Sequence, residues 1–292
     1  MFAFLLSRVL GLVREIVIGR QFGTGPELDA YLAAFRIPDF LFILVAGGAL
    51  GSAFIPVFTT YLTEQKEDEA WRLASAIMNI VAVAVTALAI MAAILAPFLV
   101  QYFIAPGFGP AQHALTVELV RVLMISTVLF ALSGLLMAIL NACQHFVLPA
   151  FAPVVYNLAI IVGALVLAPW PGMGVRGLVA GVVLGAILHV GMQAPALSRY
   201  GGLYWPTFGL NLPGVREVAR LMGPRVLGLT ATQINFVVNT ALASTLPAGS
   251  VSALNYAWLL MLLPQGIFAQ AIATVAFPTF SEQSARGATA EL

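Results

Sequence analysis

Charge is scarce in this chain. Lysine, arginine, aspartate and glutamate together make up 9% of its 292 residues, where soluble domains carry about 25%. Cysteine is nearly absent: Cys143 stands alone, which excludes an intrachain disulfide and a cysteine-based metal cluster. His113, His145 and His189 share no metal-ligand spacing. There is no nucleophile elbow, phosphate-binding loop, paired-aspartate metal motif or His-Glu metalloprotease motif. The missing catalytic constellations argue for transport over catalysis, so no enzymatic activity, metal, cofactor or nucleic-acid partner is expected. Arg8 and Arg14 interrupt the first apolar stretch, so a cleavable signal peptide is not expected.

Apolar residues fill the space that charge leaves, at 61% of the chain. No charged residue occurs between Arg72 and Glu118, Arg121 and Arg176, Arg176 and Arg199, or Arg225 and Glu282. A membrane crossing needs ~20 apolar residues, so the expected fold class is an all-α polytopic membrane protein with about eight transmembrane helices. The spans are placed at 2–20, 30–61, 74–103, 115–140, 148–169, 176–198, 221–246 and 251–280. The second is long and holds Pro38, Gly47, Gly48, Gly51 and Pro56, which predicts a kinked or broken helix. With the N-terminus in the cytoplasm, the loops on that side carry Lys66, Arg72, Arg199, Arg216, Arg220 and Arg286, against Arg20 and Arg176 opposite. The positive-inside rule favours that orientation.

An internal repeat organises the chain. Arg8-Val-Leu-Gly-Leu12 recurs as Arg225-Val-Leu-Gly-Leu229, Leu28-Asp-Ala-Tyr31 has a looser counterpart in Leu254-Asn-Tyr-Ala257, and Pro38 aligns with Pro264. Ala53-Phe-Ile-Pro-Val-Phe58 resembles Ala276-Phe-Pro-Thr-Phe280. The second copy starts an even number of spans after the first, so the repeat is parallel. The domains expected from this are a six-helix lobe at 1–200, a connection at 201–220, and the first two helices of a second lobe at 221–292, with further spans missing. Alternating access needs two bodies around a shared site, so the chain alone is not expected to complete a transport cycle.

The first span carries Arg8, Arg14 and Glu15. Each such charge near the bilayer centre costs roughly 2.5–3.5 kcal/mol, so the segment is expected to line a polar cavity. Residues seven apart share a helical stripe: Ser7 with Arg14, and Arg8 with Glu15. In the second span Asp29 and Arg36 share a stripe, and Arg36 and Asp39 form an i,i+3 pair. These charges either neutralise one another or complete the cavity. Glu118 and Arg121 read as a further local pair, and residues 64–69 as a solvated loop. Asn141, Asn157, Gln233, Asn235 and Asn239 are polar residues in or near spans.

The motifs Ser7-Arg-Val-Leu-Gly-Leu-Val-Arg14, Asp29-Ala-Tyr31, Ala34-Phe-Arg-Ile-Pro-Asp39 and Gly48-Ala-Leu-Gly-Ser-Ala-Phe-Ile-Pro56 together resemble one family. So do Asn141 to Pro153 with Asn157, and Met222-Gly-Pro-Arg-Val-Leu-Gly228 with Gln233, Asn235 and Asn239. The chain resembles the MurJ/MviN lipid II flippases of the multidrug/oligosaccharidyl-lipid/polysaccharide exporter superfamily. That resemblance implies two six-helix lobes plus two further helices around a central cavity, in the bacterial inner membrane. It implies outward movement of an anionic polyprenyl-pyrophosphate-linked sugar, lipid II, for peptidoglycan synthesis, with membrane potential or an ion gradient as the drive. Membrane lipids and cell-wall synthesis proteins would be the partners. The family's essential arginines fall on Arg8 and Arg14, its neighbouring acid on Glu15 and its second-helix aspartate on Asp29; Ser7 and Arg36 complete the expected substrate-binding set. Phe42, Ile43, Gly47 and Leu259 depart from positions often charged in the family. Export of another lipid-linked glycan or solute, or a non-transporting scaffold role, are the alternative readings.

Overall fold

The computed structural model describes residues 2–45, 49–197 and 202–265. Those residues form ten helices: α1 Phe2–Phe22, α2 Pro26–Ala34, α3 Arg36–Val45, α4 Ala49–Thr63, α5 Glu67–Leu99, α6 Pro110–Ala142, α7 Val147–Val162, α8 Val175–Leu197, α9 Pro213–Ser244 and α10 Ser250–Pro264. Wider π-helical turns continue α5 through Ile104 and α7 through Leu167. Five of the helices, α5 to α9, are long and apolar enough to cross a membrane. Among the other expected spans, α1 has the length but carries Arg8, Arg14, Glu15 and Arg20. The final expected span is described only as far as Gln265, so Ala276 to Phe280 lie outside the described residues.

The second expected span is broken between α2 and α3, and Pro56 sits inside α4. Pro38 has no N–H to donate to the Ala34 carbonyl, and the α-helical ladder stops at Phe35 between α2 and α3. Gly47 and Gly48 lie outside the described residues. Proline also starts α2, α6 and α9, where its missing N–H costs nothing. α9 begins at Pro213, within the 201–220 stretch. Residues 202–212 lie along α5, where Asn79 Nδ2 donates to the Thr207 carbonyl at 2.8 Å and Arg72 stacks over Trp205 at 4.5 Å.

Small residues let α7 and α8 approach backbone to backbone. A Cβ on Gly177 would fall 2.4 Å from the Ala168 nitrogen, and one on Gly181 would fall 2.8 Å from the Ala159 carbonyl oxygen. In a membrane, where lipid tails are as apolar as leucine, such close packing is a main source of helix association. α7 in turn packs on α1, so this seam sets where the face of α7 bearing Tyr156 and Asn157 meets Arg14. Elsewhere α6 packs between α5 and α8, α9 lies on α3 and α4, and α10 packs on α2 and α9. The buried core comprises two clusters, one around Leu28, Leu119, Leu123 and Leu178, the other around Phe54, Phe58, Leu73 and Leu135.

One local pairing expected from spacing does not form, and one shared stripe is lost. Glu118 reaches across to α8 instead of to Arg121, accepting from Nε and Nη2 of Arg176 at 2.7 and 2.8 Å. That fork offers two parallel bonds, and Arg121 turns to the Ala93 carbonyl. Asp29 and Arg36 lose their common stripe because the break at Phe35 lies between them. Part of the 64–69 run is helical: Glu67, Asp68 and Glu69 form the first turn of α5, where acids complement the helix dipole.

Candidate functional site

A polar cavity of about 160 Å³ lies where α1, α2, α3, α7 and α10 meet. Arg14 and Glu15 enter it from α1, Arg36 and Asp39 from α3, Tyr31 from α2, Tyr156 from α7, and Asn255 and Tyr256 from α10. Its formal charge is balanced, two arginines against two acids, where an arginine excess was expected from the first helix.

Arg14 is held on two sides. Its Nε and Nη2 donate to Oε1 of Glu15 at 3.1 and 2.6 Å, and its Nη1 donates to Oδ1 of Asn157 at 3.0 Å. Asn157 is fixed in turn, its amide donating to the Pro153 carbonyl at 3.0 Å and the Ser7 carbonyl at 3.4 Å. The Pro153 carbonyl lies one turn back along α7, and the Ser7 carbonyl lies across on α1, so the Asn157 amide bridges the two helices. Ser7 therefore enters through its backbone, two turns from the cavity. Arg8 lies on the exposed surface of α1 and does not line the cavity.

Arg36 ties α3 to α9. Its Nε donates to Thr240 Oγ1 on α9 at 2.7 Å, and its guanidinium lies over the Phe236 ring at 5.5 Å. Trp258 of α10 packs edge-on against the same phenylalanine.

Asp29 sits elsewhere. It is 2% exposed, outside the cavity, and caps the N-terminus of α10. Its Oδ2 accepts the Gly249 N–H at 2.6 Å, and its Oδ1 accepts the Ser252 N–H at 2.7 Å and the Ser252 hydroxyl. Nearby, the Gly107 N–H donates to Ser244 Oγ at 3.1 Å, and a Cβ on Gly107 would fall 2.2 Å from the Ser244 carbonyl oxygen. The α2 and α5–α6 ends of the first helices thus clasp the α9–α10 turn.

The reading of charges alone missed Tyr31, Tyr156, Thr240, Asn255 and Tyr256. A signal for Asn255 was present in the repeat, where Leu254-Asn aligns with Leu28-Asp. Of the positions that depart from the charged pattern, Phe42 packs edge-on against Phe130, and Leu259 is half-buried on α10.

Residues 18–292 match the family model described as Lipid II flippase MurJ. The chain belongs to the MurJ family. A lipid II flippase MurJ of Burkholderia cenocepacia is 35% identical over 286 residues, covering 95% of this chain and 55% of that relative. A probable lipid II flippase MurJ of Vibrio cholerae is 35% identical over 290 residues, covering 96% and 55%. Among solved structures, a lipid II flippase MurJ in an inward closed conformation superposes with a TM-score of 0.81 at 28% identity, covering 96% of this chain and 58% of that one. An inward-facing multidrug resistance MATE family transporter of the MOP superfamily shares the fold, with a TM-score of 0.72 at 19% identity, covering 94% and 63%. The chain spans about half the length of the curated relatives it matches. It is an all-helical membrane protein of a transporter family.

Proposed function

We propose that this chain forms the first lobe and the opening helices of the second lobe of a flippase for lipid II. It would carry that anionic polyprenyl-diphosphate-linked sugar from the inner to the outer leaflet of the bacterial inner membrane, in the service of peptidoglycan synthesis. Residues 1–200 form one moving body, 201–220 the connection, and 221–292 the start of the other. The observation that carries this reading is Arg14, fixed by Asn157 and lining a polar cavity among membrane helices. A guanidinium offers forked, bidentate recognition of phosphate oxygens, and it stays charged in a low-dielectric setting.

Arg14 and Arg36 receive the diphosphate, with Tyr31, Tyr156 and Asn255 available to the sugar. Ser7 and Asn157 orient Arg14. Arg8 contributes at the surface of α1. Asp29 acts on conformation: the clasp it makes with α10 closes one end of the cavity, and alternating access requires it to part. With the N-terminus cytoplasmic, that closed end faces outward and the cavity is served from the inner leaflet. The test is genetic. In a bacterium depleted of its own flippase, the complete gene restores growth, the Arg14→Ala gene does not, and Arg14→Lys restores it only in part because a point charge replaces a fork. Full growth with Arg14→Ala would overturn the reading.

A further inference from the structure

Neighbouring residues on a helix leave the axis about 100° apart and do not face each other. Arg14 and Glu15 nevertheless close on one another: Nε and Nη2 of Arg14 both donate to Oε1 of Glu15. Nη1 is engaged by Asn157. All three guanidinium nitrogens are therefore committed, two of them to one carboxylate oxygen. The Nε–Nη2 edge presents two parallel N–H groups, the arrangement that suits a carboxylate or a phosphate. The edge an incoming anion would use already holds one, and both partners line the cavity.

We propose that Glu15 is a displaceable counter-ion, an internal stand-in for the substrate diphosphate on Arg14. This rests on the reading of the cavity as a diphosphate site. In the empty protein Glu15 neutralises Arg14, sparing the membrane interior a bare cation. When the head group arrives, one of its phosphate oxygens takes the place of Oε1, and the Glu15 side chain rotates off. Helix geometry does not oppose that rotation, because the i,i+1 pairing is not the direction in which the helix aims Glu15. Asn157 keeps hold of Nη1 throughout, since its own amide is tied to the Pro153 carbonyl. Arg14 thus stays in place while its anion is exchanged.

Two consequences follow from the competition. Substrate binds more weakly than the bare arginine would allow, which favours release in the outer leaflet. The empty cavity remains charge-balanced with Asp39 and Arg36 also present, so the protein can return without cargo. Glu15 is a positioning residue that tunes affinity and need not touch the substrate.

The experiment measures binding of undecaprenyl diphosphate to the purified 292-residue chain in detergent micelles, for the parent, Glu15→Gln, Glu15→Ala and Arg14→Ala. Glutamine keeps the length and an acceptor oxygen while removing the charge. The expected result is that Glu15→Gln binds roughly tenfold tighter, within the usual range for coupled interactions, that Glu15→Ala moves in the same direction, and that Arg14→Ala loses binding. Unchanged or weaker binding in both Glu15 variants, with Arg14→Ala still losing it, overturns the counter-ion role and leaves the flippase reading intact. Equal binding by Arg14→Ala and the parent overturns the diphosphate site itself, and the counter-ion role with it.

Discussion

Asp29 of α2 caps α10: its Oδ2 accepts the Gly249 N–H at 2.6 Å, and its Oδ1 accepts the Ser252 N–H at 2.7 Å. A carboxylate at a helix N-terminus satisfies orphan donors and meets the positive end of the dipole. Gly249 is held in the left-handed region at φ +94°, and a Cβ there would lie 3.0 Å from the Thr24 carbonyl oxygen. The turn therefore needs glycine for its backbone and for its close approach to the first helices.

Replacing this acid should loosen that end of the molecule. Asp29→Ala leaves the Gly249 and Ser252 N–H groups buried without an acceptor, at roughly 1–3 kcal/mol each. The amides at the start of α10 should then exchange hydrogen faster, while those of the α7–α8 seam stay protected. Unchanged protection around Gly249 in Asp29→Ala would mean that the capping bonds do not hold α10 to α2.

Arg36 makes a second tie, to α9 through Thr240. Thr240→Val keeps the shape and deletes the acceptor, leaving Arg36 Nε without its partner. A hydrogen bond to a charged group is worth about 1.5–3 kcal/mol, so Thr240→Val should lower the melting temperature in detergent. Thr240→Ser, which keeps the hydroxyl, should stay near the parent. Equal melting of Val and Ser variants would show that the hydroxyl contributes nothing.

The α7–α8 seam predicts a contrast between glycines on one helix. Gly181→Ala puts a methyl 2.8 Å from the Ala159 carbonyl oxygen, whereas a Cβ on Gly191 meets nothing within 4 Å. Overpacking of this kind costs typically 1–3 kcal/mol. Gly181→Ala should melt lower and, by shifting α7, weaken the Asn157 hold on Arg14; Gly191→Ala should do neither. Thermal melts of the two variants side by side check this.

Much of the fold is legible in the sequence. Long charge-free runs marked α5 to α8, and Pro38 marked the break between α2 and α3, because its missing N–H leaves the Ala34 carbonyl without its ladder partner. The site was only half legible. Arg14 and Glu15 announced a cavity, since charge in an apolar run needs a destination. Helical spacing failed for Asp29 and Arg36, because it assumes an unbroken helix and Phe35 interrupts it. It failed again at Glu118, which prefers the fork of Arg176 on a neighbouring helix. Tyr31, Tyr156 and Thr240 were invisible for a different reason. Tyrosines and threonines are unremarkable in apolar helices, and only packing decides which of them reach a cavity.

The central claim, that Arg14 holds the head group of a lipid-linked diphosphate, is tested most directly by binding of lipid II itself. The measurement is the lipid II retained by the purified chain in native mass spectrometry, against phosphatidylglycerol as a competing anionic lipid. The parent should retain lipid II over phosphatidylglycerol, Arg14→Ala should lose that preference, and Arg8→Ala, on the exposed surface of α1, should lose less of it. Retention by Arg14→Ala equal to that of the parent would contradict the account.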